Sequence, residues 1–415
     1  MKPLICSLTA QVPLLALVLF AGDSQAQDPL PVVWSVSERG HGVASITASP
    51  DGVFVASGAR QDNAIRLRQT SDGSLVRTLI GHTDGVIGLA ISPDGTRLAS
   101  ISRDATAKLW RVADGAVLQT MAEVGSFDGP YAGGPVAFSP NGSLLATSLA
   151  GTDNLGMWRT TDGSLLHALN ANVGGVNAVA FSPDGTLLAS AGGFGGADTT
   201  IKIWRVADAA LVKTIATSSG YSIDQLAFSP DGTVLASGTD RHAHIPGAVE
   251  LWRSADWTLL HRLPAKGHSQ AFSPDGQILL SVRWPQSDTS SVDLWRVTTG
   301  LLLKSYLAPA VTYGSISSVI FVSDGRIMLG GLNVVNRTNY VGSVTAVRAP
   351  ILITDLQRDA DQLRVGWSGS GLFQLQIRKN LSDNWADFGE ARAEKSISIP
   401  MTQPASFFRV IALEQ

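Results

Sequence analysis

The sequence predicts an all-β fold in which seven similar units of four strands close into a ring. A Ser-Pro-Asp-Gly phrase or a near variant recurs seven times at intervals of 43 to 49 residues, a period typical of repeat architectures. A small residue comes six positions after the Asp position of each phrase, and a Trp-Arg pair comes further on in five units. Seven units in phase predict a seven-bladed β-propeller. The Asp positions of the phrases are Asp51, Asp94, Asn141, Asp184, Asp231, Asp275 and Asp324.

Within one unit, the pattern predicts four short strands joined by tight turns. Alternating apolar and β-branched runs separated by Asp-Gly turns are strand and hairpin signals. The strands predicted for the fourth unit are Val176 to Ser182, Thr186 to Ala191, Thr200 to Trp204 and Ala210 to Ile215. The small residues are Ser57, Ser100, Thr147, Ser190, Ser237, Ser281 and Gly330. The third strands of the middle five units end at Trp110, Trp158, Trp204, Trp252 and Trp295, with Arg68 and Val347 in the first and last units.

The order of these features resembles the WD-repeat β-propellers over about three quarters of the chain. The shared order is Gly-His, a strand, Ser-Pro-Asp-Gly, a strand, Asp-x-Thr and a strand that ends in Trp. In that family, many blades contain a buried hydrogen-bond network of His, Ser or Thr, Asp and Trp. The resemblance therefore implies a network in the second unit, in which the histidine is structural rather than a ligand. Its members are His82, Ser100, Asp104 and Trp110.

The chain departs from the family pattern in two respects. The name-giving Trp-Asp dipeptide is Trp-Arg in five units. The fourth unit keeps Ser190, Asp198 and Trp204 but has Asn172 where the spacing places the histidine. We expect packing of the buried Trp side chains to replace the lost polar links, because truncating a buried Trp to Ala costs about 3 to 5 kcal/mol.

The ring is predicted to close within one chain. The seventh unit lacks a fourth strand of the usual type, whereas Pro31 to Ser37, which contains Trp34, precedes the first unit and supplies one. The resemblance implies the same arrangement, because in that family the N-terminus commonly completes the last blade. Pairing of these two ends leaves no open sheet edge, and we expect a monomer.

The first 26 residues read as an export signal. Lys2 precedes an apolar run from Leu4 to Ala21, and Ser24-Gln25-Ala26 is a small-x-small cleavage site. The single cysteine, Cys6, lies inside this segment, so the mature chain has no thiol. The domains expected are a signal peptide at 1–26, a propeller at 27–349 whose strand 31–37 closes the last blade, and a small β module at 350–415. The mature protein is expected in the periplasm or outside the cell, without a membrane span.

The segment after Pro350 is predicted to be a separate β-sandwich-like module, because the repeat stops there. It resembles the C-terminal modules of many secreted bacterial proteins and is faintly similar to a fibronectin type III sandwich. Accessory binding, spacing and surface attachment all remain open for it. The predicted strands are Leu352 to Gln357, Gln362 to Trp367, Phe373 to Arg378, Ser396 to Pro400 and Phe407 to Leu413.

One face of the ring is the candidate binding surface, because its loops vary in length. The small residue and the Trp position are 10 residues apart between Ser100 and Trp110, but 15 apart between Ser237 and Trp252. Loops that vary on a rigid scaffold commonly carry function. They hold aromatic and amide side chains typical of recognition surfaces, although such residues also pack on one another in loops. The candidate binding residues are Phe127, Tyr131, Phe194, His242, His244, Trp284, Tyr313, Asn336 and Tyr340.

Other kinds of site are not predicted. His242 and His244 stand beside Asp240, but two ligands on one loop are weak evidence, and we predict no metal or other cofactor. The phrase carboxylates read as turn formers, and no Ser/His/Asp set can be picked out. The formal charge of −3, without a basic run, argues against nucleic acid as a partner.

Two classes of function follow from these observations. The first is a non-enzymatic exported scaffold that presents a loop-built propeller face to a protein, peptide or glycan. The alternative is a periplasmic propeller enzyme, such as a lactonase, lyase or quinoprotein-like dehydrogenase, with chemistry in the central funnel. Such an enzyme would need converging charged or metal-binding side chains at the inner strand ends, and few are visible in the sequence.

Overall fold

The structure is a computed structural model, in which 36 strands are numbered β1 to β36 in chain order. The chain divides into two compact units, Asp28–Arg348 and a second unit of Met1–Gln27 with Ala349–Gln415. For residues 331–343 and for all strands of the second unit, only the backbone is described. The structure describes residues 6–7, 18–19, 32–38, 42–125, 134–151, 154–193, 198–218, 222–239, 247–265, 269–283, 290–307, 315–322, 326–336, 339–348, 353–359, 362–367, 373–378, 386–387, 396–400 and 407–412.

The first three blades are antiparallel four-stranded sheets whose strands follow in chain order. Blade 1 consists of β4 (Val43–Ala48), β5 (Phe54–Ala59), β6 (Asp62–Gln69) and β7 (Leu75–Ile80). Blade 2 consists of β8 (Val86–Ile91), β9 (Arg97–Ser102), β10 (Ala107–Arg111) and β11 (Val117–Met121). Blade 3 consists of β12 (Val136–Phe138), β13 (Leu144–Ser148), β14 (Asn154–Arg159) and β15 (Leu165–Asn170).

The next three blades repeat this order. Blade 4 consists of β16 (Val176–Phe181), β17 (Leu187–Gly192), β18 (Thr200–Arg205) and β19 (Leu211–Ala216). Blade 5 consists of β20 (Gln225–Phe228), β21 (Val234–Thr239), β22 (Ala248–Arg253) and β23 (Leu259–Leu263). Blade 6 consists of β24 (Gln270–Phe272), β25 (Ile278–Arg283), β26 (Ser291–Arg296) and β27 (Leu302–Leu307). The strand bounds of blade 4 agree with the sequence prediction to within one residue.

Blade 7 takes its outer strand from the other end of the propeller. Its sheet order is β28 (Ser315–Phe321), β29 (Arg326–Asn336), β30 (Asn339–Arg348) and then β3 (Val32–Glu38). Trp34 also reaches the first blade, because its Nε1 donates to the Thr70 carbonyl at 2.8 Å. The N-terminal strand thus completes one blade and contacts the next.

Seven blades form a closed ring. The innermost strand of each blade contacts that of the next, and β28 of blade 7 contacts β4 of blade 1. Between neighbouring blades lie apolar cores, five of which include the buried Trp of the later blade. The core between blades 7 and 1 is built instead from smaller buried side chains, among them Val43, Met328 and Val344, with Trp34 packed against it. The prediction of an all-β, seven-bladed propeller is confirmed.

The described strands of the second unit form two sheets. One has the order β2 (Val18–Leu19), β1 (Cys6–Ser7), β36 (Phe407–Ala412), β33 (Phe373–Arg378) and β34 (Ala386–Asp387). The other has the order β31 (Ile353–Asp359), β32 (Gln362–Trp367) and β35 (Ser396–Pro400). Removal of residues 1–26, which the sequence predicts, would take β1 and β2 from the first sheet. In the residues that the structure describes, no helix has the length and apolar character needed to cross a bilayer.

Candidate functional site

The two faces of the propeller differ in their connections. On the first face, the turn face, the connections between the first and second and between the third and fourth strands contain five residues throughout blades 1 to 6, for example 182–186 and 206–210. On the opposite face, the loop face, the remaining connections range from two residues, as in 337–338, to 14 residues, as in 122–135. Connection length is therefore constant on the turn face and variable on the loop face.

The turn face is built by short-range hydrogen bonds within the Ser-Pro-Asp-Gly phrase. In blade 4, Asp184 accepts hydrogen bonds from Ser182 Oγ at 2.6 Å and from the Thr186 N–H at 3.0 Å. Gly185 has φ 72°, in the left-handed region that favours glycine. The hydrogen bond from Ser182 and then that from the Thr186 backbone lower the pKa of Asp184. The carboxylate is therefore held ionised as an acceptor for the turn, and not as a catalytic base.

The arginine of the Trp-Arg pair contributes to the second kind of turn. Arg111 Nη1 lies 2.7 Å from Asp114 Oδ2, and Arg205 Nη1 lies 2.9 Å from Asp208 Oδ2. Arg111 and Asp114 are each 52% exposed, and ion pairs at such positions contribute little to stability. The arginine that stands in place of the aspartate of Trp-Asp thus pairs with an aspartate in a surface turn.

Inside blade 2, four side chains form one hydrogen-bonded chain. Trp110 Nε1 donates to Ser100 Oγ at 2.8 Å, and His82 Nε2 lies 2.7 Å from the same oxygen. On the other side of the ring, His82 Nδ1 lies 2.8 Å from Asp104 Oδ2. Because an ionised carboxylate only accepts, His82 carries its proton on Nδ1, and Ser100 donates to Nε2. Both ring nitrogens are therefore used within the blade, as in a structural histidine.

Burial sets the protonation state of His82, and hydrogen bonds set that of Asp104. Burial lowers the pKa of His82 and outweighs the hydrogen bond and charge of Asp104, which raise it. Burial raises the pKa of Asp104, but hydrogen bonds from Thr106, the Thr83 backbone N–H and His82 together lower it to about 2. At neutral pH the histidine is therefore neutral and the aspartate is charged.

Blade 4 has the same series of hydrogen bonds, with Asn172 in place of the histidine. Asn172 Oδ1 accepts from Ser190 Oγ at 3.0 Å, and its Nδ2 donates to Asp198 Oδ2 at 3.3 Å and to the Thr200 carbonyl at 2.9 Å. Trp204 Nε1 donates to Ser190 Oγ at 3.0 Å. The expectation that packing alone replaces the missing histidine is thus wrong for this blade, because an amide can accept from the hydroxyl and donate to the carboxylate.

The Trp-to-hydroxyl hydrogen bond is retained even in blades that lack the rest of the network. Besides blades 2 and 4, the indole N–H reaches the second-strand hydroxyl in blades 3, 5 and 6. The acceptors there are Thr147 at 2.8 Å, Ser237 at 3.0 Å and Ser281 at 2.9 Å. In blades 2 to 6, the small residue six positions after the Asp position of the phrase is therefore a buried acceptor for the tryptophan, a role that the sequence analysis did not assign outside the family network.

Most of the candidate binding residues lie outside the described residues. These are Phe127, Tyr131, Phe194, His242, His244, Trp284 and Tyr313. The backbone is described for Asn336, the last residue of β29, and for Tyr340, which pairs with Val334 across the hairpin. Whether these nine residues share a binding surface stays a prediction.

The hairpin of blade 7 extends the loop face. In blade 2, β9 ends at Ser102, whereas the equivalent strand β29 runs four residues past Leu332. At about 3.3 Å per residue, the hairpin projects roughly 13 Å further than its counterpart. Asn336 and Tyr340 thus lie at the projecting end of this hairpin.

In the described part of the chain, no group of three or more His, Cys, Asp and Glu side chains is arranged to hold a metal ion. Asp240, His242 and His244, which the sequence analysis considered as metal ligands, fall outside the described residues.

Comparison with known proteins places four segments in the family WD domain, G-beta repeat: residues 33–68, 73–111, 163–205 and 210–245. The first three segments each begin at the outer strand of one blade and run through the third strand of the next. This offset explains how the N-terminal strand β3 completes blade 7. The chain therefore carries WD40 repeats on a seven-bladed β-propeller.

Several proteins are similar to parts of the chain. An uncharacterized WD repeat-containing protein of Synechocystis is 39% identical over 121 residues, which cover 29% of this chain and 33% of the relative. A guanine nucleotide-binding protein subunit beta of Arabidopsis thaliana is 30% identical over 39% of this chain and 42% of its own length. A serine-threonine kinase receptor-associated protein of chicken is 25% identical over 68% of this chain and 74% of its own. The chain thus spans only about a third of the Synechocystis relative.

Proposed function

We propose that this protein is a non-enzymatic, exported binding scaffold whose loop face presents aromatic and amide side chains to a protein, peptide or glycan. The observation that carries this proposal is the difference between the faces. Every turn-face connection of blades 1 to 6 has five residues, whereas the loop-face connections vary from two to 14. A rigid scaffold with variable loops on one side is the usual design of a recognition surface.

The similar proteins support a role in binding rather than in catalysis. WD40 propellers are typically protein-interaction scaffolds. The Arabidopsis relative is named as a subunit, and the chicken relative is named as receptor-associated. For this chain we accordingly favour a macromolecular partner over a substrate.

The internal bonding of the blades supports the same proposal. The phrase hydrogen bonds, such as Ser182 to Asp184, lie on the turn face, and the Trp-to-hydroxyl bonds lie inside the blades. These bonds do not depend on the length of the long loops, so loop-face sequence can change without loss of the scaffold.

Export is part of the proposal and rests on the sequence of the first 26 residues. The mature chain should begin at Gln27 and be recovered outside the cytoplasm. N-terminal sequencing of the protein from its native host tests this, and recovery of Met1 from a cytoplasmic pool would contradict it.

The binding function is tested by alanine substitution on the two faces. Replacing Trp284, Tyr340 and Phe194 should weaken capture of the partner from the host envelope fraction and leave the melting temperature nearly unchanged, because a few aromatic residues usually carry about 2 kcal/mol or more each. Asp184→Ala is the control. It should lower the melting temperature without changing capture by the folded protein. If capture survives the triple substitution but is lost on deleting residues 350–415, recognition belongs to the C-terminal module.

A further inference from the structure

One of the seven phrases differs from the others at the residue that builds the turn. The third phrase reads Ser-Pro-Asn-Gly, and Asn141–Gly142 is the single Asn-Gly pair in the 415 residues. Asn141 is exposed on the turn face, so water reaches its side chain. Because glycine has no side chain to block its backbone nitrogen, an asparagine before glycine is the kind most prone to spontaneous deamidation. The pair is therefore a candidate modification site.

The structure places the amide of Asn141 where the other blades have a carboxylate. Its Oδ1 accepts hydrogen bonds from Ser139 Oγ at 2.7 Å, from the Ser143 N–H at 3.0 Å and from Ser143 Oγ at 2.8 Å. In blade 2, Asp94 Oδ1 accepts the three equivalent bonds at 2.5, 3.0 and 2.8 Å. The turn of blade 3 is thus bonded as an aspartate turn that contains an asparagine.

An aspartate would fit this turn better than the asparagine does. In blade 4, Thr186 Oγ1 donates to both carboxylate oxygens of Asp184, at 2.9 Å each. The Nδ2 of Asn141 stands in place of the second oxygen and can only donate. Hydrogen bonds to an ionised oxygen are also stronger than those to a neutral amide. The guanidinium of Arg97, which donates to the Gly142 carbonyl at 2.9 Å, adds a positive charge beside the turn.

Deamidation of this pair needs only the chain and water. The Gly142 nitrogen attacks Cγ of Asn141, so that a new N–Cγ bond forms and the Cγ–Nδ2 bond breaks. The proton of the Gly142 N–H leaves with Nδ2 as ammonia, and a cyclic imide remains. Water then opens the imide, and addition at Cγ breaks the new bond, returns a proton to the nitrogen and gives aspartate. Addition at the backbone carbonyl carbon of Asn141 gives isoaspartate instead, whose main chain is longer by one carbon.

The hydrogen bonds of the turn act on both the rate and the product. The Gly142 N–H donates to the Ser139 carbonyl at 2.8 Å, so the attack requires that this bond opens. A surface turn opens locally at lower cost than a buried strand. Attack at Cγ places negative charge on Oδ1, which the Ser139 and Ser143 donors are placed to stabilise as in an oxyanion hole. We propose that Asn141 is a deamidation site and that its turn directs the product to aspartate.

The modification would complete the set of phrases. Aspartate at position 141 keeps the three accepted hydrogen bonds and adds one negative charge to the turn face. Isoaspartate, by contrast, lengthens the main chain inside the five-residue connection 139–143 and breaks its hydrogen-bond pattern. The proposal concerns the turn face and is independent of the binding role proposed for the loop face.

The test follows the pair in the folded chain and in a synthetic peptide of residues 136–146. Both are incubated in mildly alkaline buffer, and peptide mapping by mass spectrometry separates asparagine, aspartate and isoaspartate at position 141. In the folded chain, Asn141 should deamidate at least tenfold faster than Asn170, which is also exposed but precedes Ala171. Aspartate should be the main product in the chain, and isoaspartate the main product in the peptide. A rate no higher than that of Asn170, or the same product ratio in chain and peptide, would overturn the proposal.

Two variants and a control locate the effect in the turn. Ser143→Ala removes one donor to Oδ1 from an exposed residue and should raise the isoaspartate share at least twofold. Ser164→Ala removes the equivalent hydroxyl from the other turn of blade 3, where it donates to Asp162 at 2.7 Å, and should leave the product ratio unchanged. Asn141→Asp fixes the product and should keep or raise the melting temperature. An unchanged ratio in Ser143→Ala, or a lower melting temperature in Asn141→Asp, would refute the assignment.

Discussion

The hydroxyl of Ser100 holds two buried rings in blade 2, and its removal tests the hydrogen-bonded chain directly. Ser100→Ala leaves the Trp110 indole N–H without its acceptor and His82 Nε2 without its donor. Both side chains are at most 2% exposed, so water cannot replace the lost partner without opening the blade. The matched control is Ser281→Ala in blade 6, where the described hydrogen bond to the hydroxyl comes from Trp295 Nε1 at 2.9 Å.

The size of the effect follows from the number of polar groups that lose a partner. A buried group left unsatisfied costs about 1 to 3 kcal/mol. Ser100→Ala, which leaves two groups unsatisfied, should therefore lower the free energy of unfolding by about 2 to 6 kcal/mol, and Ser281→Ala, which leaves one, by about 1 to 3 kcal/mol. The difference between the two variants measures the contribution of the histidine link.

Urea unfolding of both variants gives these values, with an unchanged slope as the sign that the unfolded state is the same. Equal losses in the two variants would show that the His82 hydrogen bond contributes nothing. A stable Ser100→Ala would show that the blade repacks around the missing hydroxyl, and would refute the assignment of the chain as a structural network.

Two further predictions follow from the network and from ring closure. Because the folded-state pKa of His82 is below its ordinary value of 6.5, the unfolded chain takes up the proton first as the pH falls through 6.5, and stability declines there. His82→Asn, which copies Asn172 of blade 4, should fold and lose that decline in urea midpoints measured against pH. A later decline as the pH falls from 3.8 towards about 2, due to Asp104 together with turn aspartates such as Asp94, should persist. Trp34→Ala should lower the free energy of unfolding by about 2 to 3 kcal/mol in the same assay, because the indole is half-buried. Deletion of residues 27–37 should remove much of a net stability of about 5 to 15 kcal/mol. A deletion variant that melts at the wild-type temperature would contradict the closing role of β3.

The strands could be predicted from the sequence because local chemistry marks their ends. The Asp-Gly pair at Asp184 ends one strand and starts the next, and Trp204 marks the end of the third. These signals act over five residues or fewer, so they survive differences between units. The same reasoning identifies Pro31 to Ser37 as a spare strand, because the seventh unit otherwise has only three, and the structure has this strand at Val32–Glu38.

The polar link at Asn172 could not be predicted, because it depends on contacts between residues that are distant in the sequence. Asn172 looks like a lost histidine in the sequence, and only the distances to Ser190 and Asp198 show that it replaces one. The binding role of the loop-face residues remains a prediction, because these residues were selected on loop length and residue type alone.

The junction at which the ring closes is bonded differently from the others. Blades 1 and 7 lack the third-strand tryptophan, and their shared core contains no buried indole. Three serines, two on inner strands and Ser269 just before β24, link blades 6, 7, 1 and 2 in series. The Val319 N–H donates to Ser269 Oγ at 2.9 Å, the Ile46 N–H to Ser318 Oγ at 3.4 Å, and the Leu89 N–H to Ser45 Oγ at 3.2 Å.

Between blades 2 and 3, by contrast, the inner segments are joined by a backbone bond from the Gly134 N–H to the Ile87 carbonyl at 2.8 Å. Each serine hydroxyl satisfies a backbone N–H at a blade boundary, and an unsatisfied buried N–H costs about as much as a lost hydrogen bond. The serines thus supply cohesion at the point where tryptophan packing is absent and where β3 must bind from a distant part of the chain. Closure therefore depends on two separate contributions, the outer strand with Trp34 and the inner serine links. A ring that is bonded at both its outer and its inner strands can keep its blades fixed while the loop-face connections vary.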